Sequence, residues 1–261
     1  MILRDVSFQN PVENLLFDEL LLARAEAAPD GKECLRFWES PVDFVVLGRV
    51  GKPEEEVDGL RIRIPASPNG ACASGVPVFR RGSGGGTVLQ GPGCLNFSLV
   101  LARSRHPSLA DISRSYVFLL GEVVAVLREL GVPAKFFPVS DLALETDRRK
   151  FSGNAQKRGR RFLLHHGTLL HAFDLDKIPK FLKEPKQAPA YRADRTHADF
   201  VTNVAVDVAA FKAKLAERFG AVASAASGHA LTADERAELD RQVHLQEKER
   251  QLSVEVRPDP A

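Results

Sequence analysis

The 261-residue chain is short of cysteine, methionine, tryptophan and tyrosine, with three, one, one and two copies, so phenylalanine supplies nearly all its aromatic content. Cys34, Cys72 and Cys94 are odd in number and widely spaced, which argues against a disulfide framework and a zinc site. No apolar run approaches the roughly 20 residues a membrane-spanning helix needs. The N-terminal MILRDVSFQNPVENLL lacks the basic-then-apolar layout of a secretory signal, so the expectation is a cytoplasmic protein with no membrane partner. A formal net charge of +2 is too small for a dedicated nucleic-acid or membrane surface. What remains is an ordinary globular composition, 44% apolar and 27% charged, enough for one large domain or a domain with a small appendage.

Asn10 before Pro11 predicts a helix start, and Val12, Leu15, Leu16, Phe17, Leu20 and Leu21 give the helix an apolar stripe. Strands are expected over 34–38, 43–47, 76–81, 87–89 and 95–101. The box-like Ser108-Leu109-Ala110-Asp111 predicts a long helix through Leu130, stopped by Gly131 and Pro133. Short strands resume over 134–172, with polar turns at 146–149 and 157–160. Helical stretches near 175–184 and 207–219 precede a polar C-terminal segment. No internal repeat is present. Strand clusters broken by single helices point to an α+β fold with mixed, largely antiparallel sheets.

Two stretches carry chemistry. The first, RRGSGGGTVLQGPGCLNFS over 80–98, runs Arg80 and Arg81 into three consecutive glycines. Glycine lets the backbone approach a ligand closely, and successive amides in such a turn form a concavity for an anion. The triplet alone fits a plain surface hairpin equally well; Arg80, Arg81 and Ser83 beside it point to an anion site. The second stretch, KFSGNAQKRGRRFLLHHGTLL over 150–170, sets Lys150 beside small residues that let a bulky ligand lie near an ammonium. Adjacent strand residues face opposite ways, so His165 and His166 do not share one ion, and structural histidines are expected.

These motifs resemble the lipoate–protein ligase A family of the biotin/lipoyl protein ligase superfamily. The carriers, in order, are Arg80 to Gly86, Asn96-Phe97-Ser98, Lys150 to Ala155 and His165 to Leu170, with weaker echoes at Asn14-Leu15-Leu16, Val45 to Arg49 and Thr202-Asn203-Val204. The resemblance covers residues 10 to 205. It implies a biotin-ligase-like catalytic domain of class II aminoacyl-synthetase type over 1–205, with a short helical extension over 206–261 and no full accessory domain. It further implies ATP-dependent activation of (R)-lipoate or octanoate to an acyl-adenylate, with Mg²⁺, then transfer to a lysine. The acceptor would be a lipoyl domain of a 2-oxoacid dehydrogenase or a glycine-cleavage H-type carrier protein, with a separate accessory protein as a further partner. The implied catalytic group is Lys150. The implied adenylate-binding residues are Arg80, Gly85, Gly86, Thr87, Val88, Asn96, Asp141, Lys150, Gly153, Ala155, Gly167 and Thr168. The sequence has no independent metal motif.

Three departures stand out. Gln90-Gly91 replaces the His-Asp that often follows the glycine loop, and Gln90 to Gly93 is closer to octanoyl transferases of the same superfamily. Val50-Gly51-Lys52 replaces a usual Asn-Gln pair, and the chain is short for a ligase with its accessory domain. The enzyme alternative is therefore an ATP-independent octanoyl or lipoyl transferase using an acyl-carrier thioester and a cysteine nucleophile. No cysteine lies after position 94, and Ser140-Asp141 stand where some transferases carry theirs, which favours the ligase. A nucleic-acid-binding alternative would rest on Arg148, Arg149, Lys150, Lys157, Arg158, Arg160 and Arg161, but aromatic stacking partners are sparse and solvated turn charges explain the run.

Overall fold

The computed structural model describes residues 1–58, 76–186, 188–223 and 231–255. The first half holds β1 (Ile2–Asp5), α1 (Pro11–Ala27), β2 (Cys34–Trp38), β3 (Phe44–Leu47), α2 (Pro53–Glu56), β4 (Val78–Arg80), β5 (Val88–Gln90), β6 (Cys94–Ala102) and α3 (Ile112–Glu129). The second holds β7 (Ala134–Phe137), β8 (Asp141–Leu144), β9 (Lys150–Arg158), β10 (Phe162–Leu170), α4 (Ile178–Phe181), α5 (His197–Phe200), α6 (Val208–Phe219), β11 (Val222–Ala223) and α7 (Ala233–Glu255). An eight-stranded sheet runs β11-β1-β2-β6-β10-β9-β8-β7, and β4-β3-β5 form a second sheet. Among the described strands only the β1–β11, β1–β2 and β3–β4 pairs are parallel, so the expected α+β, largely antiparallel architecture is present.

Local chemistry explains the elements. The Asn10 side chain accepts from Val12 N, and Pro11 occupies the first helical position, where its missing N–H costs nothing. Asp111, rather than Ser108, caps α3 by accepting from Arg114 N; residues 107–110 form a 3₁₀ turn ahead of it. The stretch near 175–184 is not one helix, because a 3₁₀ turn at 175–177 leads only into the four-residue α4.

The main core lies between the large sheet and α3 with α6, where Phe37, Phe97, Leu119, Val123, Phe151 and Phe211 are essentially without solvent. On the other face, α1 is covered in turn by α7. Leu239 of α7 is fully buried with Phe17 and Leu20 of α1, flanked by ion pairs Arg4–Glu235 and Arg236–Glu13. Helix α1 is thereby wedged between sheet and helix, which is why its buried residues surround it rather than form one stripe. Among the described residues, no helix is long and apolar enough to cross a membrane.

Candidate active site

One cavity opens where α1, the glycine-rich turn, β6, β9 and β10 converge. Ten of the twelve residues expected from the sequence line it: Gly85, Gly86, Thr87, Val88, Asn96, Asp141, Lys150, Gly153, Ala155 and Thr168. The triple-glycine turn and Lys150 thus face one space although β6, α3, β7 and β8 separate them in the chain.

The turn is built around Arg81. Its guanidinium is buried and donates to the carbonyl oxygens of Gly84 (2.6 Å) and Gly86 (2.8 Å) and to Ser83 Oγ (3.1 Å). Gly85 has φ +86°, and a Cβ there would stand 2.9 Å from that guanidinium, so only glycine fits. Burial lowers the Arg81 pKa to about 10, partly offset by Glu56, leaving it a cation at neutral pH. Glu56 also accepts from Thr87 Oγ1, tying α2 to the end of the turn. Gly82 N donates to Glu19 Oε1 (2.7 Å), which joins the turn's start to α1.

Arg80 and Gly167 are absent from the lining. Arg80 turns its side chain the other way and donates to the carbonyls of Gly48 (2.9 Å), Arg49 (3.1 Å) and Gly51 (2.7 Å). Neighbouring residues leave a strand on opposite faces, so only one of the two arginines can enter, and it is Arg81. A Cβ on Gly167 would stand 1.9 Å from Asn154 Oδ1 and 2.5 Å from Phe97 Cζ, so that glycine admits core packing rather than a ligand.

Lys150 lies at the start of β9 and is half-buried. Its Nζ donates to Asp141 Oδ1 at 2.8 Å, and a Cβ on Gly153 would come within 3.2 Å of that nitrogen. Asp141 and Gly153 are register partners across β8–β9, which sets carboxylate, glycine and ammonium side by side. Thr168 Oγ1 accepts from Gly153 N at 3.2 Å. Asn96 spends its amide on a reciprocal pair with Gln90, at 2.8 and 3.0 Å.

The two histidines diverge as strand alternation requires. His165 is fully buried; His166 reaches the cavity, where its Nε2 lies 2.6 Å from Ser83 Oγ. Burial, then Arg81, lowers the His166 pKa to about 3, so the ring is neutral. Ser83 Oγ thus accepts from Arg81 Nε and shares a hydrogen bond with His166 Nε2, which pins the turn to β10.

Sequence reasoning missed Glu19 and placed Lys157 only in the basic run, whereas the two pair at 2.5 Å inside the cavity. The available signal was period two: Gly153, Ala155 and Lys157 share one face of β9. The basic run is largely engaged with the protein's own groups. Arg149 pairs with Asp147, Lys157 with Glu19, Arg158 donates to Leu109 O, and Arg161 donates to carbonyls at the end of α1. Cys34 and Cys94 are buried thiols; burial raises the first to about 12 and pushes the second higher still. Cys72 lies outside the described residues. Among those residues no group of three His, Cys, Asp or Glu could hold a metal ion.

Residues 10–220 match the family model of the lipoyl protein ligase A/B catalytic domain. A protein assigned as lipoate-protein ligase A in Schizosaccharomyces pombe is 32% identical over 178 residues, 67% of this chain and 42% of that one. Its counterpart in Mycoplasma genitalium is 32% identical over 195 residues, 75% of this chain and 53% of the other. The chain thus spans about half the length of these curated relatives. Two solved structures share the fold. A bi-partite lipoate protein ligase of Thermoplasma acidophilum, described with its E2 lipoyl domain, has a TM-score of 0.72 at 24% identity, covering 93% of this chain and 91% of its own. A lipoate-protein ligase A bound with ATP has a TM-score of 0.70 at 23% identity, covering 93% and 94%.

Proposed function

The chain belongs to the lipoyl protein ligase A/B catalytic-domain family, and from that premise we propose that it activates (R)-lipoate or octanoate with ATP and passes the acyl group to a protein lysine. The observation that carries this reading is the meeting of the glycine-rich turn and Lys150 in one cavity. Adenylation brings two anions together, a carboxylate and a triphosphate, and their repulsion must be offset by fixed positive charge and oriented donors.

In the first step a carboxylate oxygen attacks the α-phosphorus, the bond to the bridging oxygen breaks, and pyrophosphate leaves with that electron pair. Lys150 would lie between carboxylate and α-phosphate, stabilising charge on the equatorial oxygens. The main chain of Gly85 to Val88 would receive the phosphates, with Arg81 as a fixed cation beneath the turn. Asp141 already spends Oδ1 on Lys150 and Oδ2 on Tyr191, so Mg²⁺ would arrive with the nucleotide, held by phosphate oxygens and water. Such an ion would neutralise triphosphate charge. In the second step the neutral amine of an acceptor lysine attacks the mixed-anhydride carbonyl carbon; an amide forms, AMP leaves, and the amine proton passes to solvent. A lipoyl domain, or a glycine-cleavage H-type carrier, is the proposed acceptor.

The decisive assay mixes the protein with ATP, Mg²⁺, (R)-lipoate and a lipoyl domain. Pyrophosphate and AMP should appear in step with a mass gain on the domain. Acylation from octanoyl carrier protein, and never from ATP with lipoate, would replace the ligase by a transferase. Pyrophosphate release without transfer would assign the second step to an accessory protein.

A further inference from the structure

We infer that Tyr191 is a positioning residue for Lys150: its hydroxyl keeps hold of the Asp141 carboxylate while the lysine ammonium turns to the substrate's anion. This deepens the ligase reading and rests on its assignment of Lys150.

Tyr191 sits in a 3₁₀ turn at 190–192, on the segment between α4 and α5. Its Oη donates to Asp141 Oδ2 at 2.8 Å while Lys150 Nζ donates to Oδ1 of the same carboxylate at 2.8 Å. The ring stacks on Phe137 with centroids 4.5 Å apart, and Phe137 is the register partner of Asp141 across β7–β8. Phe200 packs against the same ring at a tilt, with centroids 5.3 Å apart. The segment is itself fastened. Arg192 is paired with Glu184 and lies 4.9 Å from the Phe200 ring, and Arg195 donates to the carbonyls of Asp147 and Arg148. Its far end returns to the lysine, where Thr202 N donates to Lys150 O at 2.9 Å. Burial, reinforced by Asp141, raises the Tyr191 pKa, so the phenol stays a donor at neutral pH.

Asp141 is 7% exposed. A buried carboxylate stripped of its partners is strongly disfavoured, so a lysine that was its sole partner would not leave it readily. The phenol supplies a charge-assisted hydrogen bond that remains when the ammonium departs, and it already shares the carboxylate's charge. Lys150 can then exchange one anion for another without orphaning Asp141.

The test compares the full-length protein with Tyr191→Phe, Asp141→Asn and the double variant. The first readout is the rate at which an amine-directed acetylating reagent modifies Lys150, followed by peptide mass spectrometry. The second is kcat and KM for pyrophosphate release, and the third is Tm. Tyr191→Phe keeps the ring stack but gives up one hydrogen bond to a buried carboxylate, so Tm should fall by roughly 3–8 °C with the fold intact. Lys150 labelling and kcat should each fall roughly tenfold, the factor an ordinary charge-assisted hydrogen bond is worth, with KM for ATP little changed. In the Asp141→Asn background the same substitution should change neither rate by more than about twofold. Unchanged labelling in Tyr191→Phe overturns the inference, as do equal losses in both backgrounds, which mark a purely structural role. A wild-type protein that never releases pyrophosphate sinks the ligase reading instead, while the labelling rates still decide whether Tyr191 governs Lys150.

Discussion

Arg36–Asp18 and Lys150–Asp141 are two cation–carboxylate pairs whose acids line one cavity, closing to 2.6 and 2.8 Å. The Arg36 side chain is wholly buried, whereas that of Lys150 is 28% exposed. Arg36 donates to Val6 O, Asn14 O, Asn14 Oδ1 and Asp18 Oδ1, and lies within 5.5 Å of the Phe8, Phe17 and Trp38 ring centroids. Asp18 also accepts from Trp38 Nε1 and Ser98 Oγ. Lys150 has a flexible stem and a glycine beneath it. Like charges at like distances therefore serve opposite ends: saturation with hydrogen bonds and rings makes a fixed wall, and a sparse shell leaves a group that can move.

The first way to break this contrast is Arg36→Met. It leaves Asp18 charged and without its cation, and should destabilise the fold by about 3–5 kcal/mol in urea unfolding. Adding Asp18→Asn should restore part of that loss. A cost below about 1 kcal/mol would show that the buried pair is not the anchor its geometry describes.

Lys150→Ala should do the reverse. Pyrophosphate release with lipoate and ATP should fall by about 10²–10³, the usual effect of removing one donor aimed at developing charge. Tm should move by no more than about 2 °C, because the side chain is partly solvated and Asp141 keeps Tyr191. Turnover close to wild type would remove Lys150 from the chemistry and leave both pairs merely structural.

How far the sequence reached follows the same division. Motifs built from one chain segment were legible: the Asn10 cap, the strand at 34–38 and the glycine turn needed no partner to be recognised. Strand phase was not. Whether Arg80 or Arg81 enters, and whether Gly167 faces ligand or core, depends on which side the sheet buries, and only Phe97 and Asn154 packing on that glycine settle it. Long-range pairing was also hidden, because Glu19 and Lys157 lie 138 residues apart. Helix α7 reads as polar because its fixation rests on Leu239 and on salt bridges to α1 and β1, contacts that need the folded partner to have meaning.

Acid should sharpen the contrast further, since the buried side answers through stability. Burial, then His166, lowers the His165 pKa to about 3, while an unfolded histidine titrates near 6.5. Between those values the unfolded chain binds the extra proton, so stability is intact above pH ~6.5 and declines as pH falls toward 3. The slope from His165 approaches about 1.4 kcal/mol per pH unit. His165→Asn should flatten the acid limb of urea midpoints measured between about pH 7 and 4.5. An unaltered limb would mean that His165 does not stay neutral in the fold.

The smallest effect is expected at Cys94, 1% exposed, whose thiol burial and Glu39 push far above the range where a thiolate forms. A nucleophilic thiol needs the opposite setting, partly exposed and near positive charge. Cys94→Ala should leave ATP-dependent acyl transfer within about twofold of wild type, since an ammonium and not a sulfur organises the reacting anions. Loss of acyl transfer with an unchanged Tm would reverse that conclusion: the chemistry would run through a covalent thioester, and Lys150 would be a bystander to it.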